Sequence, residues 1–309
     1  MDSILLLTLI ASALRATTPL LLAALGGMFS ERAGVVNIAL EGILLFGAFT
    51  GAVAAQLIEA PFLAENPSIR LPWVPWLGMG IAMVVGGLVA WVHAVVSIRY
   101  KADQIISGTA INLMAIGVPA ILLQGLYQNS TTSEHVVNRL PQWALGPFSF
   151  SPVVYIALLL VPVCWWIMFR TPFGLRLRSV GEHPHAADSV GINVVRLRYV
   201  AVILSGVLAG LGGAYLALGT TGNFVGGMSG GRGFIALAAL IFGKWHPLGV
   251  LGATLLFGMF QAAANALGGG TLLPPTIVQA VPFILTMLVL AGFIGRAIPP
   301  KALGKPFEK

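Results

Sequence analysis

The chain has 309 residues, of which 57% are hydrophobic and only 9% are charged. Soluble globular domains carry about 25% charged residues, so this composition excludes an ordinary soluble fold and indicates a chain that crosses a membrane repeatedly. The net charge of +7 does not indicate a nucleic-acid partner, because the basic residues collect in loops and form no amphipathic patch with interleaved aromatic residues.

Eight apolar runs approach the length of about 20 residues that a helical membrane span needs. The run Phe234–Leu267 is interrupted at Lys244–Pro247 and predicts two short helices. The first run contains Arg15 and Pro19, and it forms either one helix or two helices broken at Arg15–Pro19. We therefore predict an all-α polytopic membrane protein with about 8–10 transmembrane helices, several short or broken, in one domain over residues 1–309. The runs are Ile4–Met28, Val35–Leu57, Trp73–Ile98, Ile105–Leu126, Pro152–Phe169, Tyr199–Leu218, Phe234–Leu267 and Ile277–Ile294.

The lysine and arginine residues are unevenly distributed among the loops. Thirteen fall in segments near 29–34, 99–103, 170–198, 244–247 and 295–309, whereas the alternate loops hold three. Because short loops rich in Lys and Arg stay in the cytoplasm, we expect these segments and the C-terminus on the cytoplasmic face. The N-terminus is then outside if the first run crosses once, and inside if it is broken.

A polar motif joins the first two runs and reads E-R-A-G-V-V-N-I-A-L-E-G over residues 31–42. Asn37 and Glu41 are four residues apart and would share one face of a helix. A carboxylate at this depth needs hydrogen-bond partners or water. The two side chains therefore line a substrate path or clamp neighbouring helices, and Asn37 is favoured over Glu41 as the one that faces the path.

Further polar positions mark the fourth run and the external connections. Asp103 predicts an N-cap, and Asn112 places an amide inside the span, where it lines a path or joins helices. The proline-rich Glu59–Pro72 predicts an irregular external connection. The polar segment Tyr127–Ser151 is either a solvated external loop or a contact for an extracytoplasmic partner.

The segment Arg170–Arg198 is the longest polar stretch and holds five arginines against two acidic residues. Pro184 suits the first turn of a short helix, His185–Val190, and Gly191 suits its C-terminal stop. The side chains of this helix are small, so we expect a partner to pack closely against it from the cytoplasm.

Glycines dominate the sixth run and the segment after it. Gly206 and Gly210 have the spacing of a close helix-packing face. The segment Gly222–Gly233 lacks the G-K-[ST] ending of a phosphate-binding loop and is expected outside, which excludes a nucleotide site and favours a gate or a substrate-adjacent loop. Phe224 within it either stacks on a flat ligand or packs in the core.

Several motifs together resemble the inner-membrane permeases of ABC importers, in the group that serves branched-chain amino acids, simple sugars and nucleosides. They are G-E-x-P-x-A-A-x-x-x-G-I from Gly181, then R-x-R-Y, then S-G-x-L-A-G-L-G-G-A-Y over Ser205–Tyr215. The motif at 31–42, R-G-F-I-A-L-A-A-L-I-F-G and the C-terminal P-x-A-L-G-K-P-F resemble most the smaller permease of nucleoside importers. The fourth span departs from the pattern, since Gln104 stands at an acidic position.

The resemblance implies a permease subunit for nucleosides, with purine nucleosides favoured and a simple sugar or flavin-like ligand as alternatives. It implies a heterodimer with a larger homologous permease, separate ATP-binding subunits, an extracytoplasmic substrate-binding lipoprotein and a multi-pass location in the lipid of a bacterial inner membrane. The candidate path residues are Asn37, Glu41, Asn112 and Phe224. The residues implied in coupling to the ATPase are Gly181, Glu182, His183, Pro184, Ala186, Ala187 and Gly191.

Motifs of catalysis and metal binding are missing from the sequence, including a Walker A loop, H-E-x-x-H and G-x-S-x-G. We therefore predict no enzyme, no catalytic residue, no metal site and no cofactor in this chain, with ATP and Mg²⁺ bound by the partners. The competing class is an ion-coupled secondary transporter. It needs a relay of intramembrane charges, for which only Glu41 and Arg15 qualify.

Overall fold

The computed structural model describes residues 3–146, 148–268 and 297–308 and the isolated positions 280, 284 and 288. Within these residues, seven helices are long and apolar enough to cross a membrane. The prediction of an all-α polytopic membrane protein is confirmed. The predicted run Ile277–Ile294 lies outside the described residues apart from the three isolated positions.

The predicted interruption at Lys244–Pro247 is confirmed, because one helix ends just before it and the next begins at its last residue. Two π-helical segments extend helices of the bundle: Val95–Arg99 follows Val74–Ala94, and Tyr215–Thr221 follows Val194–Ala214. A two-stranded antiparallel hairpin that the sequence did not predict, β1 (Trp143–Leu145) with β2 (Phe148–Phe150), lies between the helices Gln104–Tyr127 and Pro152–Arg170. The α-helices of the described chain are α1 Ser3–Arg32, α2 Leu40–Glu65, α3 Val74–Ala94, α4 Gln104–Tyr127, α5 Pro152–Arg170, α6 Pro172–Glu182, α7 Pro184–Ser189, α8 Val194–Ala214, α9 Arg232–Phe242 and α10 Pro247–Gly268.

The first apolar run forms one continuous helix and not two. Arg15 donates from Nη2 to the carbonyl of Ser149 at 3.0 Å, and its guanidinium carbon lies 5.6 Å from the centre of the Phe150 ring. The hairpin thus gives this charge its partners. Pro19 lies inside the helix without ending it.

The second helix also runs further than predicted, through Pro61. The connection Glu59–Pro72 is therefore helical in its first half, and the prediction of an irregular segment is wrong there. The buried carboxylate of Glu59 accepts the backbone N–H of Val137 at 2.6 Å and that of Asn138 at 3.1 Å. These partners come from a distant loop, so local sequence preference did not reveal the extra turns.

The helices α2, α3 and α8 approach one another closely where glycines face their neighbours' backbones. A Cβ atom added to Gly47 would lie 2.5 Å from the carbonyl oxygen of Gly210, and one added to Gly210 would collide with the carbonyl of Ala82. Gly206 meets Gly86 in the same way. The predicted close-packing face on the sixth run is confirmed.

The basic segments of the chain meet at one end of the bundle, which we call the basic end. Arg32 donates to the carbonyl of Trp245 at 2.9 Å, and Arg198 donates to the carbonyls of Ala33 at 3.2 Å and Lys305 at 3.0 Å. The described C-terminal residues therefore lie beside the loop that joins α5 to α8. The basic end consists of residues 32–34, 99–103, 172–198, 243–247 and 300–308.

We expect Gly210→Ala to lower the thermal unfolding temperature of the purified protein in detergent, because the added methyl group must displace the backbone of α3. Overpacking of this kind costs about 1–3 kcal/mol. Gly80→Ala is the matched control, since Gly80 is exposed and a Cβ there meets nothing within 4 Å. Equal unfolding temperatures for the two variants would contradict the packing.

Candidate functional site

The non-helical linker Ala33–Ala39 joins α1 to α2 inside the protein. α1 ends at Arg32, Gly34 follows in the linker with a φ of +89°, and the residues after it are buried or partly buried. Backbone N–H and C=O groups outside a helix lose their water partners in such surroundings, and each unsatisfied group costs several kcal/mol in hydrocarbon. The linker therefore depends on hydrogen bonds from other segments.

The backbone of Val36 is held by side chains of α3 and α4. Gln104 accepts its N–H at 2.7 Å, and Nε2 of His93 lies 3.0 Å from its carbonyl oxygen. The amide oxygen of Gln104 thus serves as the acceptor for this linker N–H.

Asn112 uses both ends of its amide within the protein. Its Nδ2 donates to the carbonyl of Ile38 at 3.1 Å, and its Oδ1 accepts the N–H of Gly42 at 2.7 Å. The side chain is partly buried and joins α4 to the linker and to the first turn of α2. Asn112 thus has a clamping geometry together with some accessible surface.

Asn37 lies in the linker and not on α2, so the prediction that it shares a helix face with Glu41 is wrong. Its side chain is fully buried, and Nδ2 donates to the hydroxyl of Ser205 on α8 at 2.9 Å. Among the described residues its Oδ1 has no hydrogen-bond partner. In this conformation Asn37 connects the linker to α8 and offers no surface to a substrate.

Glu41 holds the N-terminal end of α9. Its Oε1 accepts the Ser229 hydroxyl at 2.6 Å and the N–H of Gly231 at 2.8 Å, and its Oε2 accepts the N–H of Gly233 at 2.6 Å. The first N–H groups of a helix lack partners within the helix, and its dipole favours an anion there. The carboxylate therefore fixes where α9 begins.

The segment between α8 and α9 runs inward from the end opposite to the basic end. At the beginning of the segment, the N–H of Phe224 donates to the Ser133 hydroxyl at 2.9 Å. At its end, the N–H of Gly231 donates to Glu41, in the first turn of α2. The prediction that Gly222–Gly233 lies wholly outside is wrong. The 11 residues of α9 rise about 16 Å, roughly half of a hydrocarbon core of about 30 Å.

Phe224 packs inside the protein. Its side chain is 1% exposed, and its ring meets that of Phe49 edge-on with centroids 5.4 Å apart. The ring is therefore covered in this conformation and cannot stack on a ligand without a movement of the segment that carries it.

The other end of α9 is fixed at the basic end. The indole Nε1 of Trp245 donates to the buried Glu31 carboxylate at 2.5 Å. The neighbouring His246 ring lies 5.0 Å from that of Phe169. Burial and the positive charge of Arg32 lower the pKa of His246.

The loop between α5 and α8 contains two helices, where the sequence predicted one. The predicted helix His185–Val190 is confirmed to within one residue as α7, and Gly191 follows with a φ of +83°. The preceding α6 was missed. Its signals were present in the sequence, since Thr171 caps it and Pro172 occupies its first position.

The predicted coupling residues divide into an inner and an outer set. Gly181 is pressed against the carbonyl of Arg32, with no room for a Cβ atom, and Ala187 is buried in a cluster with Val180 and Val194. Neither can touch a docked partner. The others are exposed or partly exposed: Glu182, His183, Pro184, Ala186 and Gly191.

Sequence reasoning did not select three residues that complete the site, Gln104, Ser205 and Ser229. Each hydrogen-bonds a linker residue or Glu41. The available signal was a polar side chain in or beside an apolar run. Its partner could not be read from the sequence, because it lies far away along the chain.

The chain matches a family described as the permease component of branched-chain amino acid transport systems over residues 9–290. It is 43% identical to the guanosine ABC transporter permease protein NupQ of Bacillus subtilis, with 100% of this chain and 99% of that protein covered. It is 40% identical to the nucleoside ABC transporter permease protein NupC of Lactococcus lactis, covering 97% and 96%. It is 35% identical to the putative glucose ABC transporter permease protein TsgC13 of Haloferax volcanii, covering 93% and 92%. No solved structure matches the chain.

We expect Glu41→Gln to destabilise the protein by about 1–3 kcal/mol, because the new amide NH₂ would face the Gly233 N–H or the Ser229 and Gly231 donors without an acceptor. The measurement is thermal unfolding in detergent. Glu65→Gln, at the exposed end of the same helix, is the control and should change nothing. A Glu41→Gln protein as stable as the control would show that the carboxylate does not hold α9.

Proposed function

Because the chain belongs to the family of permease components of branched-chain amino acid transport systems, we propose that it forms part of the membrane path of an ATP-driven nucleoside importer. The observation that carries the substrate class is its full-length similarity to permeases named for guanosine and for nucleosides, which favours purine nucleosides. A simple sugar is the second candidate, supported by the relative named for glucose.

The orientation of the protein in the membrane follows from the distribution of its lysine and arginine residues. Thirteen of the 17 lysine and arginine residues fall in the segments near 29–34, 99–103, 170–198, 244–247 and 295–309. The described parts of these segments form the basic end. Since loops rich in Lys and Arg are retained in the cytoplasm, the basic end and the C-terminus face the cytoplasm of a bacterial cell. The opposite end, which carries the β1–β2 hairpin, then faces outward, where a substrate-binding lipoprotein delivers the nucleoside.

A separate ATP-hydrolysing subunit, which binds ATP and Mg²⁺, docks on the outer side of α7. The support is geometric, because Ala186 and His183 are exposed at the basic end while Ala187 anchors the helix to Val180 and Val194. A force on α7 is therefore passed to α6 and α8 and is not absorbed by a flexible loop.

The path is completed by a second, larger homologous permease. The surface of α4 is strongly exposed, with Leu113, Ile116 and Ile121 each more than 60% accessible. Asn112 and Glu41 remain partly accessible. Polar groups at membrane depth face protein or a water-filled cavity and not lipid. The two side chains therefore lie at the path wall, and rocking of the spans exposes them alternately to the two sides.

Asn37 and Phe224 enter the path only in another conformation. Both are covered in this one, Asn37 through its contact with Ser205 and Phe224 through its contact with Phe49. A displacement of α8 or of the segment before α9 would uncover them. This is consistent with a transporter whose path is closed at this stage of its cycle.

We expect Ala186→Asp to abolish docking of the ATPase subunit, since an unpaired carboxylate buried at an interface costs about 2–5 kcal/mol, more than tenfold in affinity. The assay is co-purification of the subunits together with ATP-dependent uptake. Ala102→Asp is the control, an exposed alanine at the basic end outside the loop. If both variants dock and transport equally, α7 is not the docking helix.

We expect vesicles that contain this chain, the second permease, the ATPase subunits and the binding lipoprotein to accumulate radiolabelled guanosine when ATP is supplied. Excess inosine should compete and excess glucose should not. Competition by glucose alone would favour the sugar alternative. Uptake driven by an ion gradient with the ATPase subunits omitted would replace the proposal by a secondary transporter.

A further inference from the structure

The C-terminal residues Pro300–Glu308, which we call the C-terminal strap, cross the basic end and contact several of its segments. We propose that the strap is a positioning element that ties the loop containing α6 and α7 to the linker Ala33–Ala39. Loop and linker then move as one body during transport. This inference rests on the proposed ATP-driven transport. It gives a role to the P-x-A-L-G-K-P-F motif, which that function left unexplained.

Two backbone hydrogen bonds place the strap between the loop and the linker. The N–H of Ala302 donates to the carbonyl of Gly181 at 2.9 Å, and the N–H of Gly304 donates to that of Gly34 at 3.1 Å. Gly181 lies in the last turn of α6, directly before α7, and Gly34 is the second residue of the linker. The strap therefore bridges the two segments with donors only two residues apart.

The buried Arg198 connects the same elements from α8. Its side chain is 1% exposed, its Nε donates to the carbonyl of Ala33 at 3.2 Å and its Nη1 donates to that of Lys305 at 3.0 Å. A buried charge is costly unless it is hydrogen-bonded. The linker and the strap each supply one of these acceptors, while Nη2 has no hydrogen-bond partner among the described residues.

The end of the strap reaches α7 itself. The ring of Phe307 lies 5.2 Å from that of His185 and packs on the cluster that contains Ala187. Beyond it, Glu308 pairs with Lys101 at 3.1 Å, but both side chains are exposed, and such pairs contribute only about 0–1 kcal/mol. The apolar contact and the buried arginine thus carry the attachment.

The direct connections of α7 run to α6 and α8. Gly181 of α6 also packs directly against the carbonyl of Arg32 at the end of α1. The strap adds hydrogen bonds to this contact and extends it to Gly34 in the linker, so that displacement of α7 is passed on to the linker backbone. Phe307 and Arg198 are therefore positioning residues for transport, although neither lies on the path.

The test is the number of nucleosides transported per ATP hydrolysed by the complete complex in vesicles, for Phe307→Ala and Arg198→Gln. We expect both variants to assemble and hydrolyse ATP, while the ratio falls about tenfold, within the range of coupling between sites. Lys301→Ala is the control within the strap, with an exposed side chain, and should keep the normal ratio. A normal ratio in both test variants would overturn the proposal.

A cross-link decides the case if the two variants fail to assemble. Lys101→Cys with Glu308→Cys places one thiol on each side of the ion pair, and a disulfide-containing bis-maleimide can bridge the space that the two longer side chains span. We expect uptake to continue after this cross-linking, because the strap does not leave the basic end. Loss of uptake that a reductant restores would overturn the proposal. Failure of the proposed function differs from both outcomes, since the unsubstituted complex would then show no ATP-dependent uptake.

Discussion

The structure depends on satisfying an irregular piece of backbone in apolar surroundings. The linker Ala33–Ala39 cannot supply its own hydrogen bonds, so α3, α4, α8 and the C-terminal strap supply them. Its polar neighbours, such as Gln104 and Asn112, are therefore explained by its conformation before any role in transport is considered. Each helix that moves must carry the linker with it or find these groups other partners.

The short helix α9 is the second consequence of this arrangement. Half a span cannot position itself in a bilayer, and its two ends are held by residues on either side of the linker. Glu41 binds its first N–H groups, and Glu31 and Arg32 bind the turn that follows it. The end of α1, the linker, the start of α2 and α9 thus form one connected unit at the basic end.

Most spans could be predicted from the sequence, because the need for about 20 apolar residues is local. The helix α7 could be predicted too, since Pro184 and Gly191 act on their immediate neighbours. The conformation of Asn37 and the inward course of the segment before α9 could not. They depend on partners such as Ser205, 168 residues away from Asn37, and no local pattern encodes them.

The burial of Arg198 also bears on how the chain is synthesised. Its acceptor at Lys305 lies 107 residues further along the chain and is therefore synthesised well after it. Until then the guanidinium lacks one of its partners, and the surface around α7 is incomplete. A chain that stopped before Lys305 would contain the described spans yet leave this surface unfinished.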